Sequence, residues 1–96
     1  MTLDLLWTRR ALARLDQIGT YIAKHDPAAA GQVVHRLSSV AETLRTRPLI
    51  GREGRVTGTR EMILSDIPYI IAYRVTGTKL EILTILHTSQ RWPDKL

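Results

Sequence analysis

The chain has 96 residues, of which 44% are hydrophobic, and a formal net charge of +5. This length suits one domain with one core, so we expect a single domain over residues 1–96. The absence of cysteine excludes disulfides, and the scattered histidines have no zinc-ligand spacing, so neither a metal nor any other cofactor is expected.

The charge and the hydropathy pattern also suggest where the protein works. A basic protein of this kind favours acidic partners such as nucleic acid or an acidic protein segment. The first residues lack a basic stretch followed by an apolar run, and no apolar segment is long enough to span a bilayer. We therefore expect a cytoplasmic protein without a membrane partner.

The first half of the sequence predicts a strand followed by two helices. A short apolar strand ends at Thr8, a favourable helix N-cap, and apolar residues at spacings of three and four then predict a helix over residues 9–24. Asp26 and Pro27 are typical of a second helix start, and that helix is expected to end before Pro48. The two apolar seams favour a helical hairpin.

The second half predicts three strands. A short run at residues 62–64 precedes two β-rich runs, residues 69–75 and 80–86, which a turn at residues 76–78 joins into an antiparallel hairpin. Both strands of this hairpin are apolar on both faces and should be central. Simple alternation along the last strand places Leu80, Ile82, Thr84 and Leu86 on one side and Glu81, Leu83, Ile85 and His87 on the other.

A basic segment lies between the second helix and the sheet. Folding alone gives no reason to crowd like charges, so the segment is a candidate functional loop, although a merely solvated basic loop is the alternative. Against the single acid Glu53, this segment carries five arginines: Arg45, Arg47, Arg52, Arg55 and Arg60.

Four passages, in this order, resemble the RelE/ParE superfamily of bacterial toxins. They are YIAKHDPAAA at the helix junction, RPLIGREGRVTGTREM before the sheet, YIIAYRV on the central strand and LEILTILHTSQRWP at the end. The resemblance covers essentially the whole chain. It implies an α+β fold with the order βααβββ, in which an antiparallel sheet packs against the helical hairpin.

The resemblance also implies a function and its partners. Such toxins inhibit growth, belong to type II toxin-antitoxin systems and are neutralised by a cognate antitoxin whose disordered segment folds on the toxin. RelE-like members cut messenger RNA in the ribosomal A site, whereas ParE-like members poison DNA gyrase. The fold does not choose between these targets.

Different residues would carry the two activities. A RelE-like ribonuclease would need proton-transfer groups and phosphate-binding cations, for which the catalytic candidates are His87, Glu53 and Arg91. The ribonucleolytic members that the chain resembles usually carry an arginine at the start of the central strand, where Ile70 stands here, so we favour the ParE-like function. The candidates for target or phosphate binding are Arg52, Arg55, Arg60, Tyr73 and Arg74, and Arg52 and Arg55 are also expected to contact the antitoxin.

Several of these residues have structural alternatives. Tyr69 and Tyr73 share strand parity with Ile71, which favours a place in the core, and Arg60 with Glu61 could pair at a strand end. His87 could simply bond a neighbouring backbone group. A non-catalytic basic nucleic-acid-binding module is a further alternative to the toxin, although the sequence lacks clustered aromatic residues for base stacking.

Overall fold

The computed structural model describes residues 2–93, 95 and 96. The predicted order of strand, two helices and strands is confirmed, with one addition, because a two-residue strand precedes the three strands of the second half. The elements are β1 (Asp4–Trp7), α1 (Arg9–Ala23), α2 (Pro27–Thr46), β2 (Arg52–Glu53), β3 (Arg60–Ile63), β4 (Tyr69–Thr76) and β5 (Lys79–His87).

Both helices begin at the residues that the sequence predicts. The Thr8 hydroxyl accepts a hydrogen bond from the N–H of Ala11 at 3.1 Å and itself donates to the Ile82 carbonyl at 2.8 Å. The Asp26 carboxylate likewise accepts from the N–H of Ala29 at 3.1 Å. Each cap satisfies a donor that a helix start leaves without an intrahelical partner. Neither helix of the described chain combines the length and apolarity needed to cross a bilayer.

The strands form one sheet in the order β1-β5-β4-β3-β2, so β4 and β5 are central as predicted. Every neighbouring pair is antiparallel except β1 and β5, which run parallel, and the sheet is therefore mixed rather than purely antiparallel. The apolar pattern of a four-residue strand indicates burial but carries no information on the direction of its neighbour.

A bulge in β5 changes which of its residues face the helices. Ala72 pairs with Thr84 but Tyr73 pairs with Ile82, which leaves Leu83 without a partner on β4. An extra residue reverses the alternation beyond it, so Ile85 joins Ile82 in the main core. The simple alternation predicted for this strand is therefore wrong after Ile82.

Both faces of the sheet bury apolar residues. The helix-facing side carries the main core, where Leu37 and Leu44 of α2 pack with Ile71 and Tyr73 of β4. The opposite side, called the outer face below, is also apolar near the centre of the sheet, where Ile70 is only 4% exposed. The side chains at the ends of the strands are left to form the candidate site.

Candidate functional site

The five arginines of the basic segment do not form one patch. Arg45 turns back to the residue before β1, where its Nε donates to the Leu3 carbonyl at 2.9 Å, and it also pairs with Glu42 at 3.1 Å. Arg47 is exposed at the end of α2. The remaining three lie on and between β2 and β3, where the sheet separates Arg60 from Arg52 and Arg55.

Arg52 and Arg55 converge on Glu61, whose side chain is completely buried. One carboxylate oxygen accepts from Arg52 Nε at 3.2 Å and Nη2 at 2.8 Å, and the other accepts from the backbone N–H of Arg55 at 2.8 Å. The Nε of Arg55 lies 3.8 Å from the same second oxygen. These charge-assisted bonds satisfy both oxygens and hold two half-exposed guanidinium groups side by side. We call these three residues the Glu61 cluster.

The register shows that the Glu61 cluster belongs to the outer face. Glu61 pairs with Arg52 and with Ala72, and cross-strand partners share a side of the sheet opposite to that of Tyr73. Arg74 has the same parity as Ala72 and pairs with Glu81 at 3.2 Å. The outer face therefore presents the guanidinium groups of Arg52, Arg55 and Arg74.

The end of the chain returns to this face. The guanidinium carbon of Arg55 lies 4.1 Å from the ring centroid of Trp92, a cation–π contact. The predicted loop and the C-terminal segment are thus in contact, which sequence reasoning missed. Sequence reasoning also missed Glu61 as the acid that pairs with Arg52 and Arg55. Its position was a usable signal, because Glu61 directly follows the last arginine of the basic segment.

Arg60 lies on the other side of the sheet. It pairs across the strands with Glu53 and Tyr73, so all three point to the helix-facing side. Its Nη1 donates to the Gly51 carbonyl at 2.8 Å. The interpretation of Arg60 and Glu61 as an edge pair is wrong, because adjacent residues of a strand face opposite ways.

Tyr73 is a core residue and cannot contact a target. Its side chain is completely buried, and its hydroxyl donates to the Pro48 carbonyl at 2.6 Å and accepts from the Gly51 N–H at 3.0 Å. Burial raises the pKa of this phenol above its ordinary value. The predicted core placement of Tyr69 and Tyr73 is confirmed, and the assignment of Tyr73 to target binding is corrected.

The three residues proposed for ribonuclease catalysis are not brought together. His87 ends β5, where its Nδ1 accepts from the N–H of Ser89 at 3.1 Å and its ring meets Tyr69 edge-on at 5.4 Å. Glu53 lies three strands from His87 and is offset from it by four residues along the strands. The Cα atoms of the two residues are therefore on the order of 15–20 Å apart. Arg91 lies exposed in the segment that follows β5.

An apolar groove runs between the two helices on the side away from the sheet. The helices approach closely there, since a Cβ on Gly19 would lie 3.1 Å from Val34 Cγ2. Leu12, at 51% exposure, stands at the groove. The groove has a volume of about 490 Å³, and its lining is mostly small or aliphatic: Leu12, Leu15, Asp16, Gly19, Thr20, Ala23, Ala30, Gly31 and Val34.

Known proteins match this chain over nearly its full length. The family of the ParE toxin of type II toxin-antitoxin systems, parDE, matches residues 5–92. The candidate toxin Y4kP of Sinorhizobium fredii is 52% identical over 94% of this chain and 93% of its own. Toxin RelE2 of Caulobacter vibrioides is 36% identical over 91% of this chain and 97% of its own.

A solved structure agrees in fold. A chain of the chromosomal ParDE toxin-antitoxin system from P. aeruginosa superposes with a TM-score of 0.83 at 28% identity, and the match covers 92% of this chain and 98% of that chain. The family match, the two relatives and this structure together show that the chain belongs to the ParE toxin family and is the toxin of a type II toxin-antitoxin system.

Proposed function

We propose that this toxin poisons DNA gyrase by binding it, without a catalytic step of its own. The observation that carries the proposal is the contrast between the two sets of candidate residues. The proton-transfer candidates Glu53 and His87 lie far apart, whereas the cations Arg52, Arg55 and Arg74 share the outer face. A poison that holds an enzyme in a trapped state needs only such a surface.

The ribonuclease alternative makes stricter demands on geometry. A general base must come within hydrogen-bond reach of the proton it removes, or reach it through one water. Glu53 and His87 cannot both meet one scissile phosphate across the distance that separates them. Ile70, which stands where ribonucleolytic relatives usually carry an arginine, is buried on the outer face and supplies no charge. These features favour gyrase over messenger RNA as the target.

The proposal predicts a specific effect of Arg74. With purified gyrase and plasmid, the toxin should stop supercoiling and accumulate gyrase–DNA cleavage complexes, and Arg74→Gln should raise the toxin concentration needed by about tenfold, as expected for the loss of one interfacial charge. Arg36→Gln is the matched control, because Arg36 is 45% exposed and paired with an acid, against 47% for Arg74, but lies on α2. Its inhibition should equal that of the unchanged toxin.

A translating extract provides the opposing arm of this experiment. We expect its transcripts to remain intact at toxin concentrations that stop gyrase. Cuts at codon boundaries together with unimpaired supercoiling would refute the gyrase proposal and establish the messenger RNA target instead.

A toxin of this type pairs with a cognate antitoxin, and we propose that the antitoxin covers two separate surfaces. Its acidic residues contact Arg52 and Arg55, and an amphipathic segment places its apolar residues in the groove between α1 and α2. The two surfaces lie on opposite sides of the sheet, and the molecule measures 40 × 29 × 25 Å. One segment must therefore wrap around the toxin to reach both, which suits a chain that folds on binding.

The groove contact can be tested with two equally exposed leucines. Leu12→Asp should weaken binding of the cognate antitoxin by about 10–100-fold, because it replaces an apolar side chain worth ~1.5–3 kcal/mol of burial with a charge. Leu6→Asp is the control, since Leu6 is 48% exposed against 51% for Leu12 but lies on β1. Calorimetric titration of both variants measures the difference, and equal affinities would exclude the groove.

A further inference from the structure

A second cleft lies between α1 and the end of β5, away from the basic segment that the sequence singles out. It consists of two adjoining cavities that share Arg14 and Gln17. The larger has a volume of about 390 Å³ and is lined by Arg14, Gln17, Ile18, Tyr21, Tyr69 and His87. The smaller has a volume of about 210 Å³ and is reached by Arg10, Thr84 and Gln90.

The smaller cavity is cationic. Among residues 2–93, 95 and 96, no carboxylate lies within 4.0 Å of the guanidinium groups of Arg10 and Arg14, although Arg10 Nη1 donates to the Lys95 carbonyl at 3.5 Å. The Nε of Arg14 donates to the Ile85 carbonyl at 3.1 Å and its Nη2 to Gln90 at 3.2 Å, which holds the group in place and leaves its Nη1 donors for a ligand. A held guanidinium beside a second cation is suited to a phosphate group.

The rings of Tyr21, Tyr69 and His87 line the larger cavity. Tyr69 and His87 meet edge to face, and the bond from the Ser89 N–H to His87 Nδ1 fixes the orientation of the imidazole. Tyr21 of α1 lines the same cavity and is 67% exposed, so its ring is accessible to a ligand. Flat rings around an apolar space can stack on a nucleobase whatever its identity.

We propose that this cleft binds a nucleotide, with the phosphate at Arg10 and Arg14 and the base among Tyr21, Tyr69 and His87. The two cavities adjoin at Arg14. One sugar joins the phosphate of a nucleotide to its base, so a single nucleotide can occupy both cavities. The volume of the larger cavity falls within the ~300–1,000 Å³ range of ligand pockets. The site is distinct from the Glu61 cluster on the outer face and does not depend on the identity of the toxin's target.

The test is a calorimetric titration of the full-length toxin with AMP, with an eight-residue deoxyadenosine oligonucleotide and with inorganic phosphate. Arg10→Ala and Tyr21→Ala should each weaken binding of AMP or of the oligonucleotide by about tenfold. Arg9→Ala is the matched control, since it removes the same charge from the adjacent position of α1 but does not line either cavity. It should change the Kd by less than twofold. All three side chains are exposed, so the melting temperature should be unaffected.

The outcomes distinguish a free nucleotide from a nucleotide within a single strand, and some of them would refute the proposal. Tighter binding of the oligonucleotide than of AMP supports a nucleotide within a single strand, and equal binding supports a free nucleotide. Inorganic phosphate that binds as tightly as AMP, an undiminished affinity in Tyr21→Ala, or equal losses in Arg9→Ala and Arg10→Ala would each overturn the proposal, because each means that charge alone attracts the ligand.

Discussion

Replacing Arg52 and Arg55 together by alanine is expected to destabilise the toxin by about 1–3 kcal/mol. The carboxylate of Glu61 would keep the backbone N–H of Arg55 as a donor, and water would enter the space left by the two half-exposed side chains. A buried charge that loses its partners is far more costly than the loss of an exposed ion pair. Urea denaturation followed by circular dichroism measures the change.

A compensating substitution separates this folding role from target binding. Adding Glu61→Leu to the double variant removes the buried charge and should recover most of the stability, because an apolar residue of similar size commonly replaces a buried ion pair at little cost. If the triple variant is stable but no longer inhibits gyrase or binds the antitoxin, the two arginines serve function directly. A double variant as stable as the unchanged toxin would contradict the structural role assigned to Glu61.

Removing the hydroxyl of Tyr73 has the second large expected effect. Tyr73→Phe should destabilise the toxin by about 1–3 kcal/mol, because the Pro48 carbonyl and the Gly51 N–H both lose their partner in a buried site. The hydroxyl oxygen packs directly against the backbone of Gly51, where a Cβ would clash with it. Thermal unfolding at pH 8 measures the loss, and Tyr21→Phe at an exposed position is the control.

The same substitution gives a pH dependence with a defined sign. The folded state raises the pKa of Tyr73, so the contribution of its phenol is complete below the unfolded pKa of about 10. Above that pH the unfolded chain loses the proton first, and the stability of the unchanged toxin falls as the pH rises through the folded pKa. The stability difference between the unchanged toxin and Tyr73→Phe should therefore shrink between pH 8 and pH 11. A constant difference would show that the phenol is not protonated preferentially in the folded state.

The helices and most strands of this toxin can be predicted from its sequence because their signals are local. Thr8 and Asp26 cap the helices from adjacent positions, and the apolar spacing that follows each cap depends only on the geometry of the helix itself. The hairpin of β4 and β5 is similarly evident from its turn and its flanking β-rich runs. The family resemblance rests on the same local passages, and the comparisons confirm it.

Tertiary structure alone decided which side chains share a face. The bulge at Leu83 reverses the side of the sheet that the later residues of β5 occupy, and the short β2 places Arg52 beside Glu61 but Glu53 beside Arg60. A stretch of arginines that is continuous in sequence is thereby divided between two surfaces. Pairing between strands depends on contacts distant in sequence, and a shift of one residue exchanges the two faces, so a local charge pattern predicts that a basic surface exists but not which residues compose it.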